Sequence, residues 1–172
     1  MPNTAPLPRL VAFDLDYTLW PLWVDTHVDP PLRRVSGRVN ELVDAAILAQ
    51  LKEREVYVAA ASRTCAPKVA RQALRDLRVP AGGSDGDWRA TVAPVDYFHQ
   101  MEIYPGSKVT HFREIAKASG VAYKDMIFFD DEKRNDEVAR KLGVHFVLVG
   151  PRGLDRATFE RGLREWRAKG GM

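Results

Sequence analysis

The sequence predicts an α/β fold, a parallel sheet with helices on both faces, and three observations carry that prediction. Short apolar runs without helical period alternate with amphipathic stretches along the chain. At 172 residues and 45% hydrophobic, the chain can bury one sizeable core. Polar residues able to do chemistry follow four of the apolar runs, as in open α/β sheets, where the ligand crevice lies beyond the carboxyl ends of the strands. The expected organisation is one domain over 1–172, with a flexible N-terminus at 1–8 and a C-terminal helix and tail at 154–172.

RLVAFDL (9–15) is apolar without a helical period and reads as a buried strand. VNELVDAAILAQLKE (39–53) places Val39, Leu42, Val43, Ala46, Ile47 and Leu51 on one helical side. EVYVAAASR (55–63) is a second strand, and APKVARQALRDL (66–77) a second helix with Pro67 tolerated in its first turn. VPAGGSDGDWRA (79–90) is rich in turn-forming residues and is expected to be an exposed, mobile loop. A short strand around HQMEIY (99–104) precedes a helix from GSKVTHFREIAKAS (106–119). DMIFFDD (125–131), RNDEVARKL (134–142) and VHFVLV (144–149) read as strand, helix and strand, and Leu154–Lys169 as a terminal helix.

The residues after the strands define a chemistry. Asp14 and Asp16 follow the first strand, Ser62 and Arg63 the second, Lys108 the third, and Asp130 and Asp131 the fourth. Carboxylates gathered at one point repel unless a cation sits among them, and a few hard oxygen ligands suit Mg²⁺. Lysine and serine at the same edge complete an electrostatic cradle for a phosphoryl group. In that frame Asp14 is the expected nucleophile and Asp16 the acid that protonates the leaving oxygen and then activates water. Thr18 is expected to orient phosphate or to support the turn. Taken singly, Asp14 and Asp16 could be turn residues, Ser62 a helix cap, and Asp130 or Asp131 a cap for the following helix.

DLDYT, the serine of ASRT, the lysine of GSK, and FFDDEKRN resemble the four motifs of the haloacid dehalogenase superfamily. FDLDYTLWP, VDTHVDPP, AASRT, EIYPGSKVTHF and FFDDEKRN closely resemble its capless magnesium-dependent phosphatases, over roughly residues 9–150. The resemblance implies a three-layer, Rossmann-like (HAD-like) sheet without a large cap domain. It also implies Mg²⁺-dependent hydrolysis of phosphate monoesters through an aspartyl-phosphate. Carried over by position, Asp14 is nucleophile and metal ligand, and Asp16 is acid/base and offers its backbone carbonyl to the metal. Ser62 and Lys108 hold phosphoryl oxygens, with Arg63 nearby. Asp131 is the further metal ligand and Asp130 the second choice, and Asn135 stands where the superfamily often has another acid. Implied partners are phosphorylated small molecules, including sugar phosphates and phosphorylated fructosamines, or protein phosphotyrosine. The family carries a longer segment between DPP and the second strand, so the short 30–45 stretch puts substrate access at issue.

Other classes fare worse. Lys plus Arg is 26 and Asp plus Glu 23, a net +3 that lies mostly in the last twenty residues, where acids and bases mix as on a solvated helical face. Nucleic acid is therefore not the expected partner. No apolar run approaches the roughly 18 residues of a membrane span, and MPNTAPLPRL lacks the basic and long apolar regions of a leader. A cytoplasmic location, with the nucleus as alternative, is the expectation. Cys65 is the single cysteine, which fits a reducing compartment. Cys65 to Arg71 matches the C-x5-R spacing of cysteine-dependent phosphatases, but the intervening APKVA has no glycine to cradle phosphate. Trp20, Trp23 and His27 are expected to pack as aromatics over the entrance, with contact to substrate as the alternative. The alternative function is a phosphate-binding or regulatory protein on the same scaffold; intact Asp14 and Asp16 argue against it, because binding alone needs no acid/base.

Overall fold

The computed structural model describes residues 5–29, 32, 45–81 and 90–171. Its centre is a five-stranded parallel sheet of order β5-β2-β1-β6-β7. The strands are β1 (Leu10–Phe13), β2 (Tyr57–Ser62), β5 (Gln100–Ile103), β6 (Met126–Asp130) and β7 (His145–Leu148). Between them run α1 (Val24–His27), α2 (Ala45–Glu53), α3 (Pro67–Asp76), α4 (Lys108–Ser119) and α5 (Glu137–Leu142), and α6 (Arg156–Ala168) follows β7.

The sheet is apolar at consecutive positions because both of its faces are covered. Val11, Phe13, Val58, Ala60, Ile127 and Phe129 point to one core, with Ile47, Leu48 and Leu51 of α2, Leu74 of α3, and Phe159, Leu163 and Trp166 of α6. Leu10, Ala12, Ala59, Ala61, Met126 and Phe128 point to the other, with Val109, Phe112 and Ile115 of α4 and Val138 of α5. Alternate residues of each strand thus serve opposite layers, which fixes the register.

Several details differ from the sequence expectations. In the terminal stretch 1–8 the described residues make contacts: Pro8 is buried, Leu7 packs on the core and Arg167 Nε donates to the Pro6 carbonyl at 2.7 Å. A two-residue antiparallel ribbon, β3 (Val79–Pro80) with β4 (Thr91–Val92), closes the base of the glycine-rich stretch, whose residues 82–89 lie outside the described ones. The expected helix over 39–53 is described from Ala45 onward, so Val39, Leu42 and Val43, with most of the 30–45 stretch, lie outside too. RNDEVARKL begins as a 3₁₀ turn, Lys133–Asp136, before α5. No described helix is long and apolar enough to cross a membrane.

Candidate active site

Every group singled out at a strand end comes from the same edge of the sheet. Asp14 is one residue past β1, and its amide still donates to Phe129 O at 2.9 Å, so the backbone under its carboxylate is part of the sheet ladder. Ser62 and Asp130 are the last residues of β2 and β6. Lys108 opens α4, whose N-cap Ser107 accepts a bond from Val109 N at 3.1 Å. That cap anchors a lysine where the helix macrodipole disfavours a cation. The compensation is two carboxylates.

Lys108 Nζ lies 2.6 Å from Asp14 Oδ1 and 3.1 Å from Asp130 Oδ2, and it also donates to the Ala61 carbonyl. Burial alone would lower the lysine pKa, but the fields of Asp14 and Asp130 outweigh it and hold the group above its ordinary value. Burial pushes the Asp14 carboxyl up to about 8; Lys108 opposes the shift, and Asp130 and Asp131 add to it. Asp131 is raised to about 6, chiefly by burial and then by Asp130. Carboxylate oxygens of Asp14, Asp130 and Asp131 lie within 4.8 Å of one another. One ammonium faces three carboxylates there, and a hard divalent cation fits that donor set.

A cavity of about 280 Å³ opens above this cluster, lined by Asp14, Asp16, Ser62, Arg63, Lys108 and Asp131 together with Trp23, Asp25, Thr26, Thr64, Glu132, Arg134 and Asn135. Six of the expected site residues therefore converge. Two do not reach the cavity. Asp130 is fully buried, its Oδ1 accepting from Glu132 N at 2.7 Å and its Oδ2 from Asn135 Nδ2 at 2.9 Å and from Lys108. Thr18 is fully buried behind the turn; its amide donates to Leu15 O, its carbonyl accepts from Leu154 N, and its hydroxyl has no partner among the described residues.

Asn135 needs its amide: Oδ1 accepts from Arg63 at 3.3 Å, while Nδ2 donates to Asp130 and, at 3.3 Å, to Glu132. Arg134, missed by sequence reasoning, lines the cavity as a guanidinium held by Glu132 through two bonds of 2.8 Å. Its signal was the run of three acids followed by two bases in DDEKRN, which a solvated face explains equally well. Trp20 was expected to pack or to contact substrate, and beyond packing its Nε1 donates to Asp16 Oδ1 at 2.6 Å. Asp16 is raised above the usual carboxylate range, mainly by burial, with the Trp20 and Val24 bonds opposing the rise. Of the entrance aromatics, Trp23 is 49% exposed, stacked on His27 and edge-on to Tyr17. Cys65 is exposed, and Arg71 donates to the Met101 carbonyl at 2.9 Å instead of facing a phosphate loop.

The acid phosphatase family model matches residues 6–169. The chain is 43% identical over 159 residues to a HAD-like hydrolase superfamily protein of Schizosaccharomyces pombe, covering 86% of this chain and 88% of that one. The chain belongs to the acid phosphatase family. It is thus a phosphoric monoester hydrolase by family, and the sequence resemblance to HAD phosphatases is confirmed. Magnesium-dependent phosphatase 1 of Homo sapiens is a further relative, 40% identical over 169 residues, covering 92% of this chain and 87% of that one. The fold agrees: a HAD-superfamily hydrolase of Ehrlichia chaffeensis superposes with a TM-score of 0.60 at 14% identity, covering 96% of this chain and 98% of that one.

Proposed function

We propose that this acid phosphatase family member is a Mg²⁺-dependent phosphomonoesterase working through an aspartyl-phosphate on Asp14. The observation that carries the reading is the Lys108 ammonium at 2.6 Å from Asp14 at the base of an acid-lined cavity. Attack needs the anionic carboxylate: Lys108 opposes the rise that burial, Asp130 and Asp131 impose on Asp14, and a cation bound among the acids would lower it further. The donor set suits magnesium, and one of the relatives is named for it. Asp14, Asp131 and the Asp16 backbone carbonyl would hold the ion, with Asp130 serving as the counter-ion that orients Lys108. Bound there, Mg²⁺ supplies positive charge against the phosphoryl oxygens.

This chain's own groups do the rest. Ser62, Arg63 and Lys108 receive the phosphoryl oxygens, while Thr18 steadies the turn beneath them. An Asp14 oxygen bonds to phosphorus as the bond to the leaving oxygen breaks, and that oxygen takes the Asp16 proton. Asp16 then accepts a proton from water, whose oxygen displaces Asp14 from phosphorus. Sugar phosphates, phosphorylated fructosamines and protein phosphotyrosine are the proposed substrates, entering over Trp23.

Hydrolysis of 4-nitrophenyl phosphate, with Mg²⁺ and then with EDTA, is the first test. We expect turnover to vanish with chelation and to fall at least a thousandfold in Asp14→Asn. Cys65→Ser should leave it intact. Turnover that survives Asp14→Asn, or that disappears in Cys65→Ser, overturns the aspartate mechanism.

A further inference from the structure

The turn after β1 brings one side chain back onto Asp16. The amides of Thr18, Leu19 and Trp20 all donate to the Leu15 carbonyl, at 3.2, 2.8 and 3.2 Å, and Tyr17 adopts a left-handed φ of 55°. Three donors on one carbonyl make the turn tight enough for residue 20 to bridge to residue 16. The Trp20 ring is then buried in the core with Leu19 and Val24, so packing fixes it while its N–H remains free to point outward.

That N–H donates to Asp16 Oδ1 at 2.6 Å, and the Val24 amide, at the start of α1, donates to the same oxygen at 3.2 Å. Among the described residues no donor reaches Oδ2, although Asp16 lines the cavity. An oxygen facing two N–H donors can accept but cannot also carry a proton without losing one of them. The two carboxylate oxygens of Asp16 are thereby made unequal.

We infer that Trp20 is a positioning residue for the phosphatase reaction: it occupies Oδ1 so that Oδ2 alone meets the leaving oxygen and, in the second half, the water. The inference rests on the acid/base reading of Asp16 given above. Mere packing would need only the ring; the inference needs the N–H. In the first half-reaction the proton passes from Oδ2 to the leaving oxygen as the Asp14–phosphorus bond forms and the ester bond breaks. In the second, Oδ2 takes a proton from water as the oxygen–phosphorus bond forms and Asp14 departs.

The test compares Trp20→Phe with the wild type on an alkyl phosphomonoester and on 4-nitrophenyl phosphate. kcat/KM reports only events up to ester cleavage, and nitrophenolate leaves without a proton. We expect kcat/KM to fall about tenfold on the alkyl ester and to stay within about twofold on the nitrophenyl ester. An equal fall on both, or no fall on either, overturns the inference. Should Trp20→Phe fail to fold, replacing Trp20 by benzothienylalanine removes the N–H but keeps the bicyclic ring, and the same pair of outcomes decides. Asp16→Asn is the control. If it does not widen the difference between the two esters, the acid reading itself fails; if it does and Trp20→Phe does not, only the role of Trp20 fails.

Discussion

Single side chains at the base of the cavity are held by partners that leave little room for substitution. Asn135 shows this best, since one amide serves Arg63 with its oxygen and Asp130 with its nitrogen. Asn135→Asp would set a further carboxylate against the fully buried Asp130 and remove one of its donors. The expected cost is about 2–4 kcal/mol, read from urea denaturation at pH 7. His111, on α4, is fully buried, with Nε2–H donating to the Tyr104 carbonyl at 2.9 Å and Nδ1 unpartnered among the described residues. Burial holds its pKa at about 4, against about 6.5 in an unfolded chain. A base depressed in this way contributes stability that is present above pH 6.5 and is lost as the pH falls toward 4. Wild-type stability should therefore drop between pH 7 and pH 5 by about 1–2 kcal/mol more than that of His111→Gln. Parallel pH profiles would show that His111 is not the group responsible.

At the scale of elements, the approach of α6 to the sheet depends on a missing side chain. Gly162 faces β6 and β7, and a Cβ there would meet Phe129 and Val147 side-chain atoms at 2.9 Å. Gly162→Ala gains about 1 kcal/mol of helix propensity and loses about 1–3 kcal/mol to overpacking, so a net loss is expected. A denaturation midpoint that rises would mean that the Phe129 ring yields without cost. Phe129 also immediately precedes Asp130 and accepts the Asp14 amide at its carbonyl, so α6 packs on the residue that ties both carboxylates to the sheet. On the opposite face, α4 is set by Ser107 at its start and by Gly120, left-handed at φ 67°, at its end.

For the whole molecule, the arrangement of five parallel strands gathers four chain segments at one edge, and metal binding should tie them together. Mg²⁺ at about a hundred times its Kd should add roughly 2.7 kcal/mol to stability. At this chain length that corresponds to an increase in Tm of about 5–10 °C. Asp131→Asn should lose most of the increase, while a change at Asp125, remote from the cavity, should keep it. Thermal scans with and without Mg²⁺ decide; an undiminished increase in Asp131→Asn would place the ion elsewhere.

Much of this was legible along the chain because strand ends in a parallel sheet deliver consecutive motifs to a shared edge. Apolar runs without helical period marked β1, β2 and β6, and the polar residues that end them, Asp14, Ser62 and the Asp130–Asp131 pair, marked the edge where the cavity opens, since the crevice of an open parallel sheet lies beyond the carboxyl ends of its strands. Composition and period did not separate Asp130 from Asp131, and only the motif resemblance ranked Asp131 first: adjacent residues at a strand end point to opposite sides, and which side holds Lys108 depends on where α4 docks. Nor did the order of residues show that Trp20 reaches Asp16, because four residues of separation mean contact only if the turn closes on the Leu15 carbonyl. The residues set which chemical groups could meet, through composition and period. Which oxygen of each carboxylate is engaged by protein donors, and which faces the cavity, follows from packing distances of a few ångströms that arise only when the layers close.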